Sequence, residues 1–461
     1  MIPLEGKGVL VVGLAESGSA AAAVLARLGS RVVVVDRSQA PSRADARFDL
    51  EKMGVQVRLG VEVPHDIDGF DLLVASPGVP DRSPVLVAAR KAGVEVISEL
   101  ELGYNLIQNT MVAVTGTNGK TTTTRLLTAI LDSSRRHAFE CGNIGTPLVS
   151  LYGRLNSDDV LVVEVSSFQL ANIRDFRAKV SVCLNLAPDH FDWHEDIGDY
   201  RSAKMKLIEN AVDSDFLIYN QEDEFCREMA GAARAVTAGF SASRTDSSLY
   251  IESGWIRSKY PLPEARVLEI KQVQIRGRHN LENVMAAVGA ALALGTDPEK
   301  IRGAVASFRG LEHRLEYVDT VRGVSFYNDS KATNPHASLN ALRAFDEPLV
   351  VILGGRNKGL EFHELAEELA ARGRDGQLRG IVLFGESARE IEGALDGACR
   401  GGVEAQVLSN LEEALSTAFH MAGGEGSVLF SPGCASFDMF LDYAERGRAF
   451  KRLVSELKGS R

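Results

Sequence analysis

One stretch limits what this chain can fold into more than any other: Val112–Thr124, VAVTGTNGKTTTT. Val112, Ala113 and Val114 end a short buried strand, TGTNGKTT is a turn, and Thr122–Leu131 carries the apolar spacing of a helix. A strand, a glycine turn, Lys-Thr and a helix in that order suit a nucleotide polyphosphate. Gly116 and Gly119, with Thr117 and Asn118 between them, let the backbone wrap the phosphates, and Thr122 starts a helix whose free N–H groups point at them. Lys120 would neutralise the β and γ oxygens, and the Thr121 hydroxyl stands where Mg²⁺ needs a ligand. The strict pattern GxxxxGK[ST] is not met, because Val114 occupies its first glycine position.

At 461 residues the chain exceeds one core and calls for two to four domains. A net charge of −11 argues against a nucleic-acid or anionic-membrane surface. Cys141, Cys183, Cys226, Cys399 and Cys434 are scattered, without a CxxC pair, and read as reduced thiols of a cytoplasmic protein. Gly8–Leu28 is apolar enough to suggest a signal peptide, but it lacks a basic start and is interrupted by Glu16 and Arg27 and punctuated by Gly13 and Gly18. No run of about 18 apolar residues exists to span a membrane.

Around the phosphate loop the pattern is α/β throughout. GVLVVG (8–13), an Ala/Leu-rich helix from Ser19 to Gly29 and RVVVVD (31–36) form a βαβ unit ending on Asp36. Ala15 replaces the close-approach glycine of a dinucleotide fingerprint, which weakens an NAD reading. DLLVASPGVP (71–80) adds a strand with the turn Ser76-Pro77-Gly78 at its end. The middle of the chain alternates strands and helices up to a β-rich patch at 240–276 and an Ala-rich helix at 276–295. VSFYNDSKATNP (324–335), PLVVILGG (348–355), IVLFG (381–385) and GSVLFSPGCASFD (426–438) form a third set of strands feeding polar loops. These features predict three domains: a Rossmann-like 1–98, a central P-loop ATPase-like 99–309 and a Rossmann-like 310–461.

Candidate chemical groups stand at strand ends. Glu164 closes a buried strand and is placed as an acidic Mg²⁺ ligand. Asp189–His194 gathers two acids and two imidazoles; His190 and His194 have Zn²⁺ spacing only if helical, so His190 is the better metal candidate and His194 an equal candidate for the surface. Lys204 shares a helix face with Tyr200 and, taken alone, is a solvated lysine, with Lys206 an equal candidate. Asn328–Asn334, Ser431–Asp438 and Lys358 of GGRNKG form polar loops suited to an anionic substrate.

Taken in order, TGTNGKTT, CGNIG, EVSSFQL, LNLAPDHFDWH, YRSAK, GRHNLEN, EHRLE, NDSKATN, LGGRNKG and SPGCASFD resemble the Mur ligases of peptidoglycan synthesis over nearly the whole chain. EVSSFQL, NDSKATN and SPGCASFD are most similar to the member that adds D-glutamate, and Thr333 before Asn334-Pro335, followed by His336, disfavours the member that adds a diamino acid. The resemblance implies an ATP-dependent ligase that activates a carboxylate as an acyl phosphate, with UDP-N-acetylmuramoyl-L-alanine and D-glutamate as substrates, in a monomer. It implies that Lys120 and Thr121 bind phosphates and one Mg²⁺ shared with Glu164, and that His190 and a carbamylated Lys204 hold a second ion, with Lys120, His190 and Lys204 catalytic. Asn283 would meet the adenine, with His313, Arg314, Asp329 and Lys331 completing the ATP site. The UDP-substrate would meet Ser17, Asp36, Arg37, Ser76, Gly78, Asn143 and His190, and D-glutamate would meet Thr333, Lys358, Ser436 and Phe437. Tyr443 stands where a phenyl is common in the family. The open alternatives are a sibling ligase, a folylpolyglutamate-type synthetase, a nucleotide-binding oxidoreductase or sensor, and a non-catalytic ATP switch.

Overall fold

Unbroken apolar runs become strands buried on both faces, as a parallel sheet covered by helices requires. The structure, a computed structural model, describes residues 4–40, 44–134, 136–189, 193–398 and 403–459. Strands β1 (Gly8–Val12), β2 (Arg31–Asp36), β3 (Gln56–Leu59), β4 (Leu72–Ala75) and β5 (Glu95–Ser98) form an all-parallel sheet in the order β3-β2-β1-β4-β5. The order reverses between β1 and β4, which opens a crevice beyond the ends of those two strands.

The second sheet has nine strands: β6 (Thr110–Thr115), β7 (Ala138–Gly142), β8 (Val160–Glu164), β9 (Val180–Cys183), β10 (Phe216–Asn220), β11 (Val236–Phe240), β12 (Leu249–Glu252), β13 (Trp255–Ser258) and β14 (Ala265–Glu269). They run in the order β14-β13-β12-β11-β10-β9-β6-β8-β7, so the phosphate-loop strand β6 lies between β9 and β8, the strand that ends on Glu164. The β-rich patch expected at 240–276 is the antiparallel end of this sheet. A third sheet contains β15 (Glu316–Val321), β16 (Val324–Asn328), β17 (Leu349–Gly354), β18 (Leu378–Phe384), β19 (Ala405–Leu408) and β20 (Gly426–Phe430), in the order β15-β16-β20-β17-β18-β19. Only its edge strand β15 pairs antiparallel.

The chain divides into two compact units. The first, Met1–Gln272 with Glu282–Ala306, holds the first two sheets; the second, Val273–Leu281 with Ser307–Arg461, holds the third. Within the first unit, the helix Glu99–Leu106 follows β5 directly and ties it to the second sheet. Glu101 on that helix is fully buried and accepts hydrogen bonds from Asn105 Nδ2 and from the backbone amides of Arg174, Asp175 and Phe176. Four donors around one carboxylate make this junction well defined.

One helix starts earlier than its sequence pattern suggests: it runs Glu16–Arg27 and takes Gly18 into its first turns. Gly18 is a packing position, not a break, because a Cβ there would lie 1.9 Å from the Gly13 carbonyl oxygen. Without a side chain at 18, the helix can pack onto the end of β1.

Candidate active site

The helix after β6 spans Lys120–Asp132, so Lys120 and Thr121 sit in its first turn at the positive end of its dipole. Gly119 caps it with φ +87°, a left-handed conformation that glycine adopts without strain. A Cβ at Gly119 would lie 2.2 Å from Asn283 Oδ1, so Asn283 is seated against the loop. The Lys120 amine donates to the carbonyls of Gly116 and Thr117, both at 2.9 Å.

Lys204 overturns its reading as a solvated lysine: only 1% of it is exposed. Its amine donates to the same Gly116 carbonyl at 3.0 Å and to Thr115 Oγ1 at 3.3 Å. Its ammonium stands 4.8 Å above the Tyr200 ring, as their shared helix face predicts. Burial, and then the nearby Lys120 charge, push the Lys204 amine down to about 7. Glu164, at the end of β8, is buried; its Oε1 accepts from Asn143 Nδ2 at 3.0 Å, and its Oε2 has no hydrogen-bond partner among the described residues. Such an orphaned acceptor is costly unless a ligand completes it. His190 lies outside the described residues, as do Phe191 and Asp192.

A cleft of about 800 Å³ opens in the crevice beyond β1 and β4. Ser17, Asp36, Arg37, Ser76, Gly78 and Asn143 all line it, so the structure collects the six described residues that the sequence assigned to the UDP-substrate. The Asp36 carboxylate accepts from the amides of Leu14 and Ser38, each at 2.8 Å, and so holds the turn after β1.

In the second unit three polar loops leave the C-terminal ends of β16, β20 and β17 side by side. Gly433 N donates to Ala332 O at 2.9 Å, and Arg356 and Ala435 exchange two backbone hydrogen bonds. Thr333 is half-buried, Lys358 exposed, Ser436 buried and Phe437 61% exposed. Asp329 accepts from Ser431 Oγ and Leu315 N, and burial pushes its carboxyl up to about 7. Lys331 N donates to the His313 carbonyl, while the Lys331 amine donates to Tyr443 OH at 2.9 Å. His313 adopts φ +65°, a strained conformation, next to half-buried Arg314.

Comparison with known proteins covers all three parts. Residues 7–98 match the Mur ligase MurD-like N-terminal domain, 114–291 the Mur ligase middle domain, and 313–434 the Mur ligase glutamate ligase domain. A UDP-N-acetylmuramoylalanine–D-glutamate ligase of Thermoanaerobacter sp. (strain X514) is 36% identical over 456 residues, covering 99% of both chains. The chain belongs to the Mur ligase family.

A second enzyme of the same name, from Koribacter versatilis, is 39% identical and covers 98% of both chains. The Mur ligase fold is also that of the solved UDP-N-acetylmuramate-alanine ligase of Thermotoga maritima, with a TM-score of 0.58 at 22% identity, covering 99% of this chain and all of that one. The oxidoreductase and sensor alternatives explained the first sheet alone; this Mur ligase is matched across all three.

The sequence reading gave no site role to several residues that shape the Mur ligase site. Asn185 holds the phosphate loop by both ends of its amide, accepting from Asn118 N and donating to Asn118 O, while its carbonyl accepts from Thr117 N. Tyr200 OH meets Thr117 Oγ1 at 3.0 Å. Arg446 is fully buried and donates to the carbonyls of Ser330, Cys434 and Ala435 and to Ser330 Oγ, joining two of the polar loops. His194 is buried too, which corrects its reading as a surface candidate: Trp193 and Tyr200 pack on its ring, and Ser167 and Asp199 hold its nitrogens. Their one available signal was the i, i+4 spacing of Tyr200 and Lys204.

Proposed function

We propose that this chain joins D-glutamate to UDP-N-acetylmuramoyl-L-alanine at the expense of ATP, in the cytoplasm, as a step of peptidoglycan precursor synthesis. Full-length relatives named for that reaction support the reading. The observation that carries it is the pair of lysines on one carbonyl: Lys120 and Lys204 both donate to Gly116 O, and Lys204 is lowered to about 7.

The UDP-sugar would bind in the first-sheet cleft, which Asp36, Arg37 and Asn143 line, and the resemblance assigns Asn143 and His190 to its reacting end. Its terminal carboxylate attacks the γ-phosphorus of ATP, giving an acyl phosphate and ADP. The D-glutamate amine then attacks the acyl carbon, and the tetrahedral intermediate expels phosphate to leave an amide. Activation is required because a carboxylate is a poor electrophile with a poor leaving group. Lys120 stabilises the charge that builds where two anions approach. Asn283, seated against Gly119, would meet the adenine, and the ATP roles of His313, Arg314, Asp329 and Lys331 rest on the family resemblance. Thr333, Lys358, Ser436 and Phe437 receive D-glutamate, with Lys358 pairing a carboxylate.

The donor set fits Mg²⁺: the orphaned Glu164 Oε2 is a hard oxygen with no other partner among the described residues. Thr121 and Glu164 would hold one ion, and His190 with Lys204 a second, once Lys204 carries a carbamate. When bound, Mg²⁺ supplies positive charge at the transferred phosphoryl group. A carbamate forms only on an unprotonated amine, and a lysine lowered to about 7 offers one at neutral pH. In this reading residues 1–98, 99–309 and 310–461 bind UDP-substrate, ATP and amino acid respectively.

Phosphate release from ATP and Mg²⁺, with UDP-N-acetylmuramoyl-L-alanine and a panel of amino acids, tests the reading. Release that depends on both the nucleotide substrate and D-glutamate is expected. Release with UDP-N-acetylmuramate and L-alanine, or with a diamino acid on a longer precursor, would refute the assigned acceptor. Failure with every pair would refute the ligase activity itself.

A further inference from the structure

His194 is wholly buried, yet it lies far from inert in its bonding. Its Nδ1 is 2.8 Å from Asp199 Oδ2 and its Nε2 is 2.8 Å from Ser167 Oγ. A carboxylate only accepts, so Nδ1 donates, and the ring is fixed at both nitrogens. Phe168 stacks on the ring at 5.7 Å, and Trp193 and Tyr200 close around it at 4.5 and 5.1 Å. The order Ser167–His194–Asp199 has the connectivity of a nucleophilic triad, but the serine is only 2% exposed and no substrate reaches it. These bonds join two elements instead.

Ser167 opens the helix Ser167–Ala171, three residues after Glu164. Asp199 sits in the first turn of the helix Ile197–Met205, which carries Tyr200 and Lys204. Tyr200 reaches the phosphate loop at Thr117, and Lys204 reaches it at Thr115 and Gly116. His194 is therefore the strut between the short helix that follows Glu164 of β8 and the helix that presents Lys204.

We propose that His194, clamped by Ser167 and Asp199, is a positioning residue that sets the spacing of Glu164 and Lys204 and thereby the Mg²⁺ dependence of nucleotide binding. The proposal rests on the reading of the phosphate loop as an ATP site. Partners that orient a metal-binding group through hydrogen bonds commonly change metal affinity by about 10- to 100-fold when removed.

The test is calorimetric binding of ADP to the full chain, with Mg²⁺ and with EDTA. Asp199 is half-exposed, so Asp199→Ala removes the acceptor of the His194 ring with little risk to the fold. The Mg²⁺-dependent gain in ADP affinity, taken as the ratio of affinity with Mg²⁺ to that in EDTA, should fall about ten-fold in Asp199→Ala and further in His194→Leu. His194→Asn and His194→Gln, which each imitate one ring nitrogen, should recover part of the loss. Ser167→Ala serves beside Asp199→Ala should His194→Leu not fold. A full Mg²⁺ gain in Asp199→Ala and Ser167→Ala would overturn the proposal, and so would a His194→Leu chain that behaves like His194→Asn. Absence of any Mg²⁺ gain in the unaltered chain would instead overturn the ATP-site reading, and the proposal with it.

Discussion

Substituting Glu99 by glutamine should weaken the first unit at about pH 5 and strengthen it at about pH 8. Glu99 is 1% exposed, in the first turn of the helix that leaves β5 for the second sheet. Its Oε1 accepts from Val149 N at 2.8 Å, while Oε2 has no partner among the described residues. Burial pushes its carboxyl from 4.5 up to about 7, opposed by the Val149 amide. The ionisable groups coupled to this region are Cys141, whose thiol burial and the Glu99 and Glu140 charges push up, and Glu101, held by its own donors.

Between 4.5 and 7 the folded chain keeps a proton that the unfolded chain has released. Stability present below that interval is therefore lost as pH rises through it, by about 3 kcal/mol. Glutamine does not titrate, but its amide N–H₂ replaces an orphaned oxygen with orphaned donors, at a cost of about 1–3 kcal/mol. The cost dominates at about pH 5 and the relief at about pH 8, with a swing of about 3 kcal/mol that is independent of the amide term. For a unit of about 300 residues each kcal/mol moves the midpoint by about 1.6 °C, so the swing is roughly 5 °C in the first unit's thermal transition. Scanning calorimetry of both chains across this range measures it. Midpoint curves that stay parallel from acid to alkaline pH would show that Glu99 does not titrate there and would refute the burial argument.

Gly119→Ala forces a Cβ onto Asn283 Oδ1 and strains a φ of +87°, so ADP binding by calorimetry should be lost, while UDP-substrate binding in the first-sheet cleft persists. Asp36→Ala removes the acceptor of the Leu14 and Ser38 amides and should raise KM for the UDP-substrate about ten-fold with KM for ATP unchanged, measured by phosphate release. Cys141, Cys183, Cys226 and Cys434 are buried, with Cys183 and Cys226 sulfurs 3.2 Å apart, so peptide mapping after iodoacetamide should find all four unlabelled in the native chain and labelled once unfolded. Rapid native labelling of Cys226 would contradict the packing.

Local pattern made the skeleton of the fold legible. Apolar runs such as GVLVV and RVVVV can only be strands of a covered sheet, and each polar stretch that follows such a run lies at the end where α/β sheets bind ligands. The family resemblance assigned Asp36, Ser76 and Asn143 together, and they line one cleft although they come from three separate strand ends. The glycines were legible only as to place: Gly18 looked like a break, and its use is set by a carbonyl that the following helix must approach.

The protonation and orientation of the central groups were not legible, and the reason is non-local. Lys204 and Lys206 are two residues apart on the same segment and equal in the sequence. Lys204 points at Thr115 and Gly116 on β6 and its loop, while Lys206 reaches a carbonyl at Ala171. Lys204 is buried against a strand residue that lies 89 positions away in sequence. The same holds for His194, whose partners Ser167 and Asp199 lie on different helices. Chemistry-bearing residue types can thus be found by local pattern, whereas the state in which each works is fixed by the packing that surrounds it. Lys204 is the sharpest case: beside Lys120 on one carbonyl, its positive charge is both desolvated and repelled, which lowers the amine to about 7.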